Sequence, residues 1–222
     1  MKEYKKNFIN FLLKMEALRF GEFTLKSGRV SPYFINTGML HTGEAIAKLG
    51  KYYADTIVDN VESGYNVLFG PAYKGIPLAI AASNSLFTEH GINTDYAFNR
   101  KEKKGHGDGG LIVGKTLNSG DRVIIVDDVI TAGTAVKETI ELLKTEGDPQ
   151  LAGVIISVDR MEKGAGERSA IQEISGETGL SFFPIITILD IISFLKTEPR
   201  EKHGIGENMI RKMEEYRTDY GV

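Results

Sequence analysis

The stretch from Arg122 to Ala135 reads RVIIVDDVITAGTA. Four aliphatic residues run into Asp127 and Asp128, and then into a turn of Thr131, Ala132, Gly133 and Thr134. Carboxylates at the end of an apolar strand cost stability unless something polar comes to meet them. Gly133 permits a tight backbone, and its small neighbours leave main-chain N–H groups uncovered. The helix expected to follow aims its N-terminus at the same place, which makes an anion cradle suited to a phosphate. The two carboxylates beside it can accept hydrogen bonds from vicinal hydroxyls, or help hold a sugar that carries a metal. A phosphate site next to a diol site describes a ribose 5-phosphate. A lone D-x-x-T-x-G would be an ordinary strand-to-helix turn with Asp as its cap; the whole run is what points to a ligand.

Other expected strand ends carry chemistry too, and ligands of open α/β sheets bind beyond the carboxyl ends of the strands. PAYKG, Pro71 to Gly75, is a tight turn with Lys74 at its tip. KEKKGHGDGG, Lys101 to Gly110, has three lysines, four glycines, one histidine and no aliphatic residue, so it cannot bury itself. Such composition usually gives a solvated charged loop; its place between two site-bearing strands points to a mobile cationic lid over a polyanion. Asp159 and Arg160 close a further strand. GGLIVGKT, Gly109 to Thr116, matches the P-loop pattern letter for letter. A P-loop needs a strand before it and a helix from its lysine. Here the lysine-rich loop precedes it, LIV suits a strand, and LNSGD breaks any helix within a turn. The glycines at 164 and 166 lack the rest of a dinucleotide fingerprint, and His41, His90 and His203 have no partner pattern. No His and carboxylate cluster has metal-site spacing, so any metal should arrive with a phosphorylated substrate, which points to Mg²⁺.

These residues need a scaffold of strands alternating with helices. Helical periodicity covers the amphipathic start (Phe8, Phe11, Leu12, Met15, Leu18) and the run Ile46, Leu49, Tyr53, Ile57, Val61 after a turn at Thr42-Gly43. Strands are expected at 66–70, 94–100, 123–126, 153–159 and 180–186. Helices are expected at about 76–90, 135–146, 167–177 and 207–216. The alternation predicts an α/β fold with right-handed crossovers and a mainly parallel central sheet flanked by helices. No Pro- or Ser-rich linker divides the 222 residues, so the expectation is one domain, with about residues 1–35 as a small appended lobe. A net charge of −3 argues against general nucleic-acid binding. There is no cysteine, hence no disulfide framework or thiolate chemistry. No signal-peptide pattern and no apolar run near the ~20 residues of a membrane span is visible. A cytoplasmic protein with no membrane partner is the default.

VIIVDDVITAGTA resembles the PRPP-binding motif of the type I phosphoribosyltransferases. FTLKSGRVSPYFINTG (23–38), GPAYKGIPLA (70–79), FNRKEKKGHGDGG (98–110) and GVIISVDRMEKG (153–164) resemble, in order and at the usual spacing, segments of the orotate-using members. The resemblance covers nearly the whole chain. It departs at Gly105, where the family commonly has an acidic residue before the loop histidine. It implies a type I phosphoribosyltransferase fold with an N-terminal hood, to which the C-terminal part can contribute, and a lid loop. It implies transfer of the 5-phosphoribosyl group from Mg²⁺-bound PRPP to orotate in pyrimidine synthesis, by a homodimer whose lids are shared between subunits. Carried over, Asp127 and Asp128 hold the ribose hydroxyls, and Val129, Ile130, Thr131, Ala132, Gly133, Thr134 and Ala135 form the PRPP loop, Thr131 to Ala135 around the 5′-phosphate. Tyr73 and Lys74 form the pyrophosphate loop. Arg100, Lys101, Lys104 and His106 engage the pyrophosphate, Lys104 and His106 as catalytic lid residues from the neighbouring subunit. Lys26 touches PRPP near the base. Phe34 and Ile35 take the orotate ring, Arg160 its carboxylate, and Thr131 can also touch the base. No protein ligand to the metal is expected.

Three other readings compete. A phosphoribosyltransferase for another base should differ around the base and lack Arg160 in this context. A PRPP-binding regulator on the same fold should show a basic face or an added helical segment and lose the lid. A P-loop nucleotidase would bind nucleotides.

Overall fold

Val67–Gly70, Arg122–Val126 and Gln150–Asp159 are strands because each carries a short, nearly unbroken apolar run, β-branched in the last two, the pattern of strands buried on both faces. The structure is a computed structural model and describes residues 1–25, 27–62, 64–102, 110–197 and 205–222. In chain order the elements are α1 (Glu3–Lys14), β1 (Leu18–Thr24), β2 (Val30–Ile35), a 3-10 turn (Thr37–Met39), α2 (Gly43–Asn60), β3 (Val67–Gly70), α3 (Gly75–His90) and β4 (Asp95–Asn99). They continue with β5 (Ile112–Gly114), β6 (Arg122–Val126), α4 (Thr134–Thr145), β7 (Gln150–Asp159), α5 (Ala170–Thr178), β8 (Phe182–Thr187), α6 (Ile188–Thr197) and α7 (Glu207–Tyr220). No helix among the described residues is long and apolar enough to cross a membrane.

The chain divides into two compact units. The first comprises Met1–His41, Val158–Ser169 and Ile186–Val222; the second comprises Thr42–Ser157 and Ala170–Ile185. The second unit carries a six-stranded sheet in the order β5-β4-β3-β6-β7-β8. β3 pairs in parallel with β4 and with β6, β6 pairs in parallel with β7, and β5 runs antiparallel to β4. Side chains alternate across the sheet. Val67, Phe69, Val123, Ile125, Val154 and Ile156 face one core with Val136, Ile140 and Leu143 of α4 and Ile174 of α5. Leu68 and Ile124 project from the opposite face, where α3 packs on β3 and α2 on α3. Thr42 starts α2 by accepting from the Ala45 N–H at 3.1 Å, and Gly91, left-handed at φ 67°, ends α3.

The first unit is built on the antiparallel hairpin β1–β2, whose register slips between Phe20 and Phe23. α6 begins with a reciprocal cap: the Thr187 N–H donates to Asp190 Oδ2 at 2.9 Å, and the Asp190 N–H donates to Thr187 Oγ1 at 3.2 Å. Neither the hairpin nor α6 was visible to periodicity alone. Several expected boundaries shift. The first helix ends at Lys14, and Leu18, expected on its stripe, opens β1. β7 starts at Gln150, because Arg122 offers it a pairing partner. α5 starts at Ala170 rather than 167, after the glycines at 164 and 166. α7 runs on to Tyr220.

Candidate active site

In the second unit β3 and β6 lie side by side, and the chain leaves them in opposite directions, to β4 and β5 on one side and to β7 and β8 on the other. Such a switch point opens a crevice beyond the strand ends. Two loops emerge there. The first, Pro71–Lys74, leads straight into α3; its Ala72–Tyr73 peptide bond is cis. The Ala72 N–H donates to Asn99 Oδ1 at 2.9 Å, tying this loop to the end of β4. Gly75 is required by close packing. A Cβ there would lie 2.6 Å from Pro71 Cδ, 2.8 Å from the Val126 carbonyl oxygen and 2.9 Å from the Gly70 carbonyl carbon.

The second loop starts with the acidic pair. The Asp127 N–H still belongs to the sheet, donating to the Ile155 carbonyl at 3.0 Å. The buried Tyr53 hydroxyl donates to the Asp127 carbonyl at 2.8 Å. The Asp128 N–H donates to Asp127 Oδ1 at 2.8 Å, and Ser157 Oγ donates to the Asp128 carbonyl at 2.9 Å and to Oδ1 at 3.3 Å. Lys74 Nζ reaches across from the first loop to Asp128 Oδ2 at 2.8 Å. Burial pushes the Asp127 carboxyl above the usual aspartate range; the Asp128 N–H acts the other way, the Asp128 charge adds to the rise, and Lys74 offsets part of it. Burial, then the charges of Asp128 and Asp127, hold the Tyr53 phenol well above its ordinary value.

Val129 and Ile130 are half-buried, and Thr131, Ala132, Thr134 and Ala135 are exposed. Gly133 is left-handed at φ 76°, and a Cβ on it would lie 2.6 Å from Ile174 Cδ1. It is also the N-cap of α4, and a glycine supplies no side-chain cap. The first N–H groups of α4 are thus left without that partner next to an exposed small-residue turn, as an anion cradle requires. Tyr73 is exposed, with Lys101 Nζ 5.1 Å from its ring centroid, and Arg100 Nη1 donates to the Gly110 carbonyl at 3.0 Å. The expected lid residues Lys104 and His106, with Gly105, lie outside the described residues, as does Lys26. β5 occupies the LIV stretch of the P-loop look-alike, and no helix starts at Lys115, so the phosphate-wrapping alternative has no scaffold.

Phe34, Ile35 and Arg160 belong to the first unit. Phe34 lies opposite Arg19 on the hairpin, stacks on Phe23 with centroids 5.4 Å apart, and has the Arg19 guanidinium 5.9 Å from its ring. Ile35 ends β2 half-buried. Arg160 is no bland surface residue. Its Nε and Nη2 both donate to Glu162 Oε1, at 2.9 and 2.6 Å, and its guanidinium lies 4.4 Å from the Tyr33 ring centroid. The Tyr33 hydroxyl donates to the same Glu162 oxygen at 2.9 Å. Sequence reasoning missed Glu162, Tyr33, Tyr53 and Ser157. Tyr33, Ser157 and Glu162 lie within the segments quoted above and Tyr53 on the α2 stripe, but none carried a role there, because each acts through a partner that only the fold brings near.

The sequence profile of the phosphoribosyl transferase domain matches residues 36–178. The chain is 50% identical to the orotate phosphoribosyltransferase of Shewanella oneidensis over 222 residues, covering 100% of this chain and 99% of that one. It is 48% identical to the enzyme of the same name from Vibrio parahaemolyticus, over the full length of both. Its fold superposes on the crystal structure of orotate phosphoribosyltransferase from Francisella tularensis with a TM-score of 0.86, at 41% identity, over 97% of this chain and 100% of the other.

Proposed function

This chain belongs to the orotate phosphoribosyltransferases, enzymes that move the 5-phosphoribosyl group of PRPP onto orotate, and we propose how its residues divide that reaction. The product is orotidine 5′-monophosphate, with pyrophosphate released, a step of pyrimidine synthesis. The reading rests on one observation above all. Beyond the half-buried Asp127 and buried Asp128 stands the start of α4, which has no side-chain cap and is approached through a left-handed glycine.

Departure of pyrophosphate from C1 builds positive charge on the ribose and negative charge on the leaving group. Catalysis is then mainly placement and electrostatic stabilisation of that separation. Thr131 to Ala135 bind the 5′-phosphate through the exposed amides at the start of α4. Asp127 and Asp128 accept the ribose hydroxyls, held by Tyr53 and Ser157 through the hydrogen bonds described above. Lys74 rests on Asp128 in the free enzyme. Its side chain is 65% exposed, so that pair is solvent-screened and easily exchanged for a pyrophosphate oxygen. Tyr73, on the Pro71–Lys74 loop, and Arg100 and Lys101, just after β4, engage the pyrophosphate, and Lys104 and His106 supply the lid. In the first unit Phe34 and Ile35 take the orotate ring and Arg160 its carboxylate. Lys26 and Thr131 complete the contacts near the base.

Mg²⁺ suits the donors present. Two neighbouring carboxylates are hard oxygen ligands, and burial of Asp127 leaves a charge that a cation would offset. They are too few to enclose the ion, which would come bound to PRPP and would offset the charge that builds on the pyrophosphate. A homodimer suits the exposed Ile80 and Phe87, seven residues apart on one face of α3; the sharing of lids rests on the family resemblance. A cytoplasmic location suits charged phosphate substrates that do not cross bilayers.

The test is pyrophosphate release on mixing the protein with PRPP, Mg²⁺ and orotate. Release with orotate, and none with uracil or adenine in its place, is expected; release with a purine instead would overturn the assignment of the base.

A further inference from the structure

The turn behind Arg160 has a shape that orotate recognition alone does not explain. Asp159 Oδ1 accepts the Met161 N–H at 2.7 Å, and Met161 sits in the left-handed region at φ 51°, uncommon for a residue with a side chain. That bend returns Glu162 onto the residue two places before it. The turn is then clamped from α7. The Lys163 N–H donates to the Tyr220 carbonyl at 2.8 Å, the Val222 N–H donates to the Met161 carbonyl at 2.9 Å, and Glu162 bridges Gly221. Arg29 adds Nη1 to the Lys163 carbonyl at 2.9 Å and Nη2 to the Gly164 carbonyl at 3.3 Å.

The donors of Arg160 can be counted. A guanidinium has five N–H groups in a rigid fork. The Nε–H and one Nη2–H go to Glu162 Oε1, and the other Nη2–H goes to Ser31 Oγ at 3.2 Å. Nη1 takes no part in these bonds, and the Tyr216 hydroxyl also interacts with the guanidinium. The Tyr33 ring covers one face of the plane.

We infer that Glu162 is the positioning residue of the base site: it holds the Nε–Nη2 edge of the Arg160 guanidinium and so fixes the orientation in which the rest of the fork meets the carboxylate of the substrate. The inference rests on the reading that Arg160 takes that carboxylate. Without Glu162 the fork can rotate about its Cδ–Nε bond and offer any edge, and the orientation must be restored each time a substrate binds. The effect belongs to the base and not to PRPP.

Steady-state kinetics on single variants test it. Glu162→Ala should raise KM for orotate at least about ten-fold and leave KM for PRPP within about two-fold. Glu162→Gln keeps an amide oxygen where Oε1 stands and should stay within about three-fold of the parent for both substrates. Glu162→Asp keeps the charge but not the reach, so it should shift orotate selectively even if the alanine variant fails to fold. In an Arg160→Ala background, Glu162→Ala should add no further rise. If Arg160→Ala leaves the orotate KM unchanged, the carboxylate reading itself falls. If Arg160→Ala raises it but neither Glu162→Ala nor Glu162→Asp does, or if they raise both constants equally, positioning by Glu162 is overturned.

Discussion

Gly75→Ala adds one methyl group at the joint between the two site loops. The new Cβ would lie 2.6 Å from Pro71 Cδ, 2.8 Å from the Val126 oxygen and 2.9 Å from the Gly70 carbonyl carbon. All three atoms are backbone or proline ring, so no rotamer change relieves them. Overpacking of this kind costs about 1–3 kcal/mol. The better helix propensity of alanine returns at most about 1 kcal/mol, and less in a first turn. The net cost is about 1–2 kcal/mol, a fall in Tm of roughly 2–8 °C for a chain of this length. The activity effect should be larger than that stability loss implies. Val126 immediately precedes Asp127, so a carbonyl pushed aside carries the acidic pair with it. Displacements approaching an ångström cost on the order of a hundred-fold in rate, so a fall of at least about ten-fold in kcat/KM is expected. Gly91→Ala is the control. Gly91 is also left-handed, at φ 67°, but a Cβ there meets nothing within 4 Å. It should lose about 1 kcal/mol of stability from backbone strain and keep its turnover. Thermal unfolding and initial rates of pyrophosphate release on both variants decide the matter. A Gly75→Ala enzyme that melts and turns over like the parent, or that loses no more activity than Gly91→Ala, would refute the coupling of the loops through that contact.

Asp127→Asn should raise the Tm of the ligand-free protein at neutral pH while lowering kcat/KM. The folded carboxyl titrates above its unfolded value, so its ionisation costs stability as pH rises through the interval between the two. The stabilisation should shrink as pH falls toward the ordinary aspartate range, and a variant less stable than the parent at pH 7 would contradict this. Tyr33→Phe removes a hydrogen bond to the Glu162 carboxylate and should cost about 1.5–3 kcal/mol in chemical denaturation. Lys104→Ala should lower kcat at least about ten-fold, about 1.4 kcal/mol or more; an unchanged kcat removes Lys104 from the mechanism.

The central strands and the phosphate loop were legible because their signals are local. RVIIV ends in two carboxylates and a glycine turn, and the strand and the start of α4 fall where that pattern puts them. The β1–β2 hairpin was not legible. Its register slips between Phe20 and Phe23, so the alternation that marks a half-buried strand is broken. α6 was hidden by composition. β8 and α6 form one apolar run rich in β-branched residues, and only the Thr187–Asp190 cap marks where a period of two gives way to 3.6. That T-x-x-D signal was present and unread. Glu162 left no trace of its role, because a carboxylate that folds back on the arginine two residues earlier needs the Met161 bend and the α7 clamp, neither of which the local sequence encodes.

The pairing of β3 with β6 has a consequence for how the enzyme acquires its activity. The two strands are distant along the chain, and the loops that would grip the sugar phosphate exist as a pair only once those strands lie together. Closing that separation is a slow, entropically opposed step. A nascent or partly unfolded polypeptide therefore offers PRPP no half-strength foothold: competence for ligand arrives in one step, with the knitting of the middle of the sheet.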